Sequence, residues 1–577
     1  MKQIIECVPN FSEGRNKDVI NKIVEAIASV KVNCNGTEER VKVLDVDPGE
    51  ATNRTVVTFV GTPAAVLEAA FQGVKKAGEL IDMRVHHGAH PRSGATDVLP
   101  LIPVSNITLE ECATLARGLA ERIYKELEIP CYCYEAAAFK PERKNLAVCR
   151  AGEYEALPEK IADPNRRPDF GPEKFTERAA FSGATNVGAR NFLIAVNYNL
   201  NTTSTRRAMA VAFDVREKGR KAREGGSLTG KLLKDEKGEQ IWIPGTLKGT
   251  KAIGWFIDEY GIAQVSMNIT DIDKAPLHIA YEEVTRAANA RGLKVTGAEI
   301  VGLVPKKVLL DAGKYYLEKQ QRSLGISEEE ILKIAVKSMS LDDLKPFNPK
   351  EKVIEFLMED EAELAKKEHL IRMTCKDFAV ETASESPAPG GGSISAYMGA
   401  LGAALGTMVA NLSSHKRGWD SRWKEFSDWA EKGQSIMNEL LALVDEDTAA
   451  FNKIMEVFSM PKGTEEEKAA RAKAMEAATL YATEVPLKTL KTSFKVFELV
   501  KEMALNGNPN SASDAGVGAI AARGAVMGAA LNVHINAVGL ENKAKAQELM
   551  DEADRIAEEA RKKEAQVLEI VNSKIHA

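Results

Sequence analysis

The sequence predicts a multidomain chain: two tandem α+β subdomains of βαββαβ sandwich type, followed by an all-α helical bundle. Three observations predict it. Short apolar strands alternate with amphipathic helices over roughly the first 345 residues. The pattern pauses in a polar stretch rich in Pro and Gly, from Phe139 to about Gly188, and then returns. Beyond Cys375 strand signals vanish and Ala, Glu, Lys and Leu dominate. With 577 residues the chain is too long for one core. The expected divisions are a first subdomain over 1–185, a second over 186–345, a linker over 346–375 and a helical domain over 376–577.

Each element has its own signal. "KQIIECVP" reads as a strand, with a helix from about Asn16. "KVLDVD" and "RTVVTFVG" are strands around the loop "PGEATN", and "AAVLEAAFQGVKKAGEL" has helical spacing. "TDVLPLIPV" is a strand, "LEECATLARGLAERIYKEL" a helix and "IPCYCYEA" a strand. In the second subdomain "NFLIAVNYNL" is a strand, a helix begins near Ser204, and "KGTKAIGWFI" pairs with "IAQVSMNIT". "LHIAYEEVTRAANARG" is a helix and "VTGAEIVGLV" a strand. Leu228 to Thr246 reads as an inserted hairpin turning at Glu236-Lys237-Gly238, with no chemistry of its own. Pro346 and Pro349 mark the charged linker. In the helical domain Thr464 and Glu467 form a capping box, and the run to Ala577 is one long helix. Two α+β units in tandem predict a cleft between them, a usual place for a ligand.

Composition is that of an ordinary globular protein, 44% hydrophobic and 28% charged, and a net charge of −6 leaves no footprint of a nucleic-acid binder. The N-terminal "MKQIIECVPNFSEG" lacks a secretory signal pattern, and seven cysteines without a CxxC read as reduced thiols; a cytoplasmic location is expected. Ser393–Asn411 imitates a membrane span, since it carries no charge over 19 residues. Its Gly and Ala contribute little transfer energy, and the expected reading is a buried helix packed closely against another.

Three of the eight histidines, His86, His87 and His90, fall within "VHHGAHPRSGATD". A zinc pair is one reading, but Gly88, Pro91 and Gly94 oppose the helix it needs and no third ligand is signalled. A second is structural, with imidazoles satisfying loop carbonyls. A third is a proton-transfer base, for which His90 is the choice because arginines and glycines around it leave room for an anionic substrate. Asp45 and Asp47 stand two apart at a strand end and share a face, where a carboxylate can orient an imidazole; capping the turn before Pro48 is the alternative. Arg54, Arg92 and Arg190 lie at strand or loop edges and suit carboxylate recognition, each against the plainer reading of a surface charge.

In the helical domain Gly390, Gly391 and Gly392 precede Ser393 at a helix start, whose backbone N–H groups suit a ligand carboxylate. Gly399, Gly402 and Gly406 then form a smooth face, and Gly524 and Gly528 repeat the device. "IMNELLALVDEDTAAFNKIM" carries an apolar stripe through Leu440, Leu443, Val444 and Phe451 on which Asp447 falls, while Asp445 and Glu446 point to solvent. A carboxylate on a buried face has a raised pKa and suits acid–base work. Its alternative is an ion pair with an arginine such as Arg523.

Taken together, "ECVPNFSEG", "LDVD", "TNRTV", "RAGEYEALPEK", "PDFGP" and "GLVP" in the first part and "APGGGS", "ALGAALG", "LVDED" and "VPLK" in the second resemble the formimidoyltransferase-cyclodeaminase family over nearly the whole chain. The resemblance implies transfer of the formimino group of N-formimino-L-glutamate to N5 of tetrahydrofolate, then cyclisation to 5,10-methenyltetrahydrofolate with release of ammonia. It implies polyglutamylated tetrahydrofolate as co-substrate, no metal, no nucleic acid or membrane partner, and a homo-oligomer. It places the transferase base on His90 and the cyclodeaminase carboxyl on Asp447. It also places folate contacts in a loop following "PDFGP", here longer than the animal pattern, which brings in Gly171, Pro172, Phe181 and Gly183. A second reading stays open, in which the helical domain only binds folate or holds the oligomer together.

Overall fold

The computed structural model describes residues 3–34, 37–50, 53–88, 91–226, 230–358 and 370–576. Two compact units result, one of Met1–Leu309 with Met339–Glu359 and one of Leu310–Ser338 with Asp360–Ala577.

The first unit opens with a seven-stranded sheet of β1 (Ile4–Cys7), β2 (Asn10–Phe11), β5 (Lys42–Gly49), β6 (Arg54–Gly61), β7 (Thr96–Ser105), β8 (Cys131–Glu135) and β9 (Thr185–Ala189). The long strands β6 and β7 each pair with both β1 and β2, β5 flanks β6, and β9 joins β7 to β8 in parallel. Between β2 and β5 lie the helix α1 (Lys17–Ala28) and a hairpin of β3 (Lys31–Cys34) and β4 (Thr37–Arg40). The Asn16 side chain caps α1 by accepting from the Asp18 and Val19 amides. Helix α2 (Pro63–Leu80) begins with Pro63, and α3 (Leu109–Leu127) begins with a Thr108–Glu111 capping box. The period of two in a strand sorts the sheet's residues. Ile5, Cys7, Val57, Phe59, Leu99, Leu101, Cys133 and Val187 pack beneath α2 and α3, which leaves Glu6, Thr58, Val98 and Tyr134 to the opposite face.

The second subdomain of this unit is a four-stranded antiparallel sheet in the order β13 (Thr250–Ile257), β14 (Ile262–Ile269), β10 (Ile194–Leu200), β15 (Val295–Val301). Helices α5 (Thr205–Val215) and α6 (Leu277–Asn289) belong to it. The inserted hairpin forms through a Lys234–Gln240 bridge, and its β12 (Trp242–Ile243) pairs with β11 (Arg220–Lys221), which precedes the insertion. Its turn closes where Gly238 N–H reaches the Asp235 carbonyl at 3.0 Å, with Gly238 at φ +82°.

Two features were not legible. The β3–β4 hairpin carries only a short alternation in β3, Val32 and Cys34, and β4, "TEER", has no apolar residue. Strand β9, "TNVGA", lies where the sequence reads as polar connection, because its place inside the sheet comes from pairing with β7 and β8 rather than from its own side chains.

In the second unit α7 (Lys306–Lys319) and α8 (Glu328–Ser338) share an apolar cluster of Leu317, Leu324 and Ile331. Five long helices follow: α9 (Gly391–Ser414), α10 (Trp423–Phe458), α11 (Glu465–Asn506), α12 (Ala512–Ala537) and α13 (Lys543–Ile575). The Thr464–Glu467 capping box opens α11 as expected. Helices α9 and α12 are each long and apolar enough to cross a membrane, yet here their glycines are packed against protein. A β-carbon at Gly402 would meet the Gly518 carbonyl, and one at Gly406 the Leu499 and Val500 side chains. The small residues therefore let α12 lie directly on α9.

Candidate active sites

A cleft of about 1360 Å³ runs along the free face of the first sheet. Strand register places its wall. Asp45 is opposite Thr58 and Asp47 opposite Val56 across β5 and β6, and Glu6 is opposite Val60 across β6 and β1. Since alternate residues share a face, Asp45, Asp47, Arg54, Thr58 and Glu6 all line the cleft. The second subdomain supplies the other wall from one row across its sheet, Lys251, Asn268, Ala195 and Val301, whose residues are register partners.

The acids on this wall differ. Burial and the neighbouring Asp47 raise the Asp45 carboxyl, whereas Asp47 is exposed. Strand β5 continues through Pro48 to Gly49, so Asp47 is a strand residue and not a turn cap. Glu6 is only 4% exposed, and burial pushes its carboxyl up to about 7 against the opposing charge of Arg190.

Arg54 is held from two sides. Its Nε donates to Asn10 Oδ1 at 2.8 Å and its Nη1 to Asp97 Oδ2 at 3.1 Å. Asp97, 1% exposed, also accepts from Arg150 and from the Ser93 amide. Asn10, Asp97 and Arg150 were not singled out in the sequence; their role is visible only once three strands and a loop meet. Arg190 donates to the Asn191 carbonyl and pairs with no carboxylate among the described residues.

Within the histidine segment, His90 lies outside the described residues, while Pro91 lines the cleft. His86 is buried, its Nε2 3.1 Å from the Asn53 carbonyl. Burial lowers its pKa, so it is a neutral part of the framework. Arg92 is not left free for a substrate carboxylate: Nη1 and Nη2 bond Glu153 and Glu155 at 2.7–3.1 Å, and Nη2 also reaches the His86 carbonyl. Gly171, Pro172, Phe181 and Gly183 do not line the cleft. They belong to a segment that includes α4 (Glu177–Ser182) and packs against residues 83–84 and 93–95. There Phe181 lies under Arg84 with 5.3 Å from guanidinium to ring, and Met83 N–H donates to the Phe181 carbonyl. Gly183, at φ +66°, lets the chain meet Gly94 with no room for a side chain.

The second site lies in the helical unit. Asp447 leaves α10 toward the start of α9, where Ser393 Oγ donates to Asp447 Oδ2 at 2.9 Å. The Ser393 amide also favours the carboxylate, but burial dominates and the pKa is raised. Gly392 is obligatory here, since a β-carbon would collide with the Asp447 carboxylate, and Gly391 leaves space beside Asn532. Gly390 is the helix N-cap. The helix start expected to hold a ligand carboxylate thus faces the protein's own. The ion-pair alternative fails: Arg523 stands 2.7 Å from Glu564, and among the described residues Asp447 has no cationic partner. Nor do its neighbours point freely to solvent. Asp445 accepts from the Leu370 amide at 2.7 Å, and Glu446 from Tyr481 at 3.3 Å. Among the described residues there is no group of three or more His, Cys, Asp or Glu able to hold a metal.

Three family models match the chain in order. They are the formiminotransferase domain N-terminal subdomain over residues 4–190, the formiminotransferase domain over 195–359, and formiminotransferase-cyclodeaminase over 374–555. The fold and sites therefore define a class in which a two-part α+β domain precedes a helical one. Formimidoyltransferase-cyclodeaminase of Gallus gallus is 41% identical over 574 residues, covering 100% of each chain. Glutamate formimidoyltransferase of Thermoplasma acidophilum is 40% identical over 57% of this chain and 96% of its own. Methenyltetrahydrofolate cyclohydrolase of Methylorubrum extorquens is 37% identical over 35% of this chain and 98% of its own. The chain belongs to the formimidoyltransferase-cyclodeaminase family.

Proposed function

We propose that this chain is a bifunctional folate enzyme with both half-reactions of its family. The first moves the formimino group of N-formimino-L-glutamate to N5 of tetrahydrofolate. The second closes the ring to 5,10-methenyltetrahydrofolate and releases ammonia. In the transfer, N5 attacks the amidine carbon while His90 takes its proton, and the glutamate nitrogen leaves protonated. Asp47, with Asp45 beside it, steadies the charged imidazole. Arg190 and Arg54 face the carboxylates of donor and folate, with lysines of the opposite wall adding positive potential. The Gly171–Gly183 segment supports the histidine loop in this reading, and Arg92 shapes it.

In the cyclisation, N10 attacks the formimino carbon. Asp447 accepts the N10 proton and returns it to the nitrogen that departs as ammonia, so one carboxyl group closes the proton cycle. The observation that carries this second activity is Asp447, a carboxylate without a cation among the described residues, held by Ser393 beside a helix start kept open by glycine. A pure scaffold has no need of it. The likeness to a cyclohydrolase favours a folate at the same helical site. The reaction is read as needing no metal, the folate as polyglutamylated, and the enzyme as a cytoplasmic homo-oligomer. An assay of the full chain with tetrahydrofolate and formiminoglutamate, following glutamate and ammonia separately, tests the reading. Glutamate release without ammonia would reduce the helical domain to a binding module.

A further inference from the structure

The cleft contains a carboxylate that the mechanism above does not use. Glu6 lies on β1, a strand held on both sides by β6 and β7, so its backbone position at the cleft is fixed. It is 4% exposed and borders the cleft. Among the described residues its side chain makes no hydrogen bond or ion pair. The charge nearest in effect is Arg190, whose guanidinium donates to the Asn191 carbonyl instead. A buried carboxylate without a partner is costly and is retained where a ligand supplies the partner. Two further acids, Asp45 and Asp47, share its face of the sheet.

We infer that Glu6 is the specificity-determining residue that selects an amidine over an amide, its carboxylate receiving the protonated formimino group of the donor through paired N–H bonds. The inference rests on the transferase reading above. An amidine is protonated at neutral pH, planar, and presents parallel N–H groups that match a carboxylate as a guanidinium does. The corresponding N-formyl amide is neutral and turns an oxygen lone pair toward the same carboxylate. That contact leaves the acid both unpaired and repelled, which is the strongest kind of rejection a site can build. The 2-amino edge of a pterin also offers paired N–H groups but brings no charge to offset the burial. Burial has already pushed the Glu6 carboxyl up to about 7, so a cationic ligand gains most from this position.

Calorimetric titration of the full-length protein with N-formimino-L-glutamate and with N-formyl-L-glutamate tests this without turnover. Steady-state rates with both substrates varied accompany it, in the wild type, Glu6→Gln and Glu6→Asp. Wild type is expected to bind the formimino compound more tightly. Glu6→Gln should weaken formimino binding about 30-fold or more, erase the preference over the formyl compound and leave the KM for tetrahydrofolate unchanged. Glu6→Asp should recover part of the preference. An unchanged tetrahydrofolate KM and an unchanged circular dichroism spectrum show that the variants are folded. A Glu6→Gln protein that keeps the preference overturns the inference, as does a wild type with none. A rise confined to the tetrahydrofolate KM also overturns it and gives Glu6 to the pterin. Wild-type binding and discrimination without any transfer would instead refute the transferase reading and leave Glu6 with its ligand.

Discussion

In the first unit, carboxylates reach the cleft from a β-sheet; in the second, a single carboxylate reaches its site from a helix. The sheet's period of two puts Glu6, Asp45 and Asp47 on one face, each in a different state: buried, half-buried and exposed. They act as a field, with Arg54 and Arg150 tied to Asp97 beneath them. The helix delivers one acid per turn to a given face, so Asp447 stands alone and its environment is local: Ser393, Gly392 and the start of α9. A sheet site is tuned by many groups at once. A helix site depends on one group and on the small residues that make room for it.

The largest expected effect tests whether the two sites are independent. His90→Ala should lower formimino transfer by about 10²–10⁴-fold while cyclisation of supplied 5-formiminotetrahydrofolate continues. Near-normal transfer would move the base elsewhere, and a fall in both rates would mean that the sites are coupled.

Asp447→Asn is the converse. Cyclisation should fall by roughly 10²-fold or more, with transfer unchanged. Because Asp447 has no cation partner among the described residues and its pKa is raised, its charged form does not stabilise the fold, and urea unfolding of the variant should be no easier than that of the wild type. A variant that unfolds early yet cyclises normally would sink the catalytic role.

The buried sheet acid should also show in stability. The folded pKa of Glu6 lies above its ordinary value of 4.5, at about 7. Its stabilising share is therefore complete below pH 4.5 and is lost as pH rises through 7. That loss amounts to about 3 kcal/mol. Glu6→Gln should unfold with a flatter pH profile between 4.5 and 8, measured by denaturant titration of the full chain. An identical pH slope in the variant would show that the cleft leaves Glu6 as wet as Asp47.

The smallest effect expected is none. Dialysis against a strong chelator should leave both rates unchanged, and a loss restored by zinc would replace proton chemistry by metal chemistry at whichever site failed.

Much of this was legible from side-chain pattern. The alternation of strands and helices, the helical domain and the packed glycine face follow from periodicity, because burial of one face dictates which residues recur. Asp447 was legible for the same reason, as an acid interrupting an apolar stripe. Glu6 was not. On a half-polar strand such as "IIECVP" one acid attracts no notice, since alternation predicts polar residues on one face without saying whether that face meets water or another wall. Arg92 was legible as a cation near a cleft but not as one already held by Glu153 and Glu155, which approach from some sixty residues along the chain.

The sequence by itself determined which apolar face each element turns to a core and which acids and bases are available, because those depend on spacing of three to four or of two along a local backbone. Only the tertiary structure decided which charges are paired, which helix start faces which carboxylate, and that β9 completes the sheet between β7 and β8. Those outcomes rest on contacts between segments far apart in the chain. Their energy is set by desolvation and geometry at the point of meeting, and no local pattern encodes it.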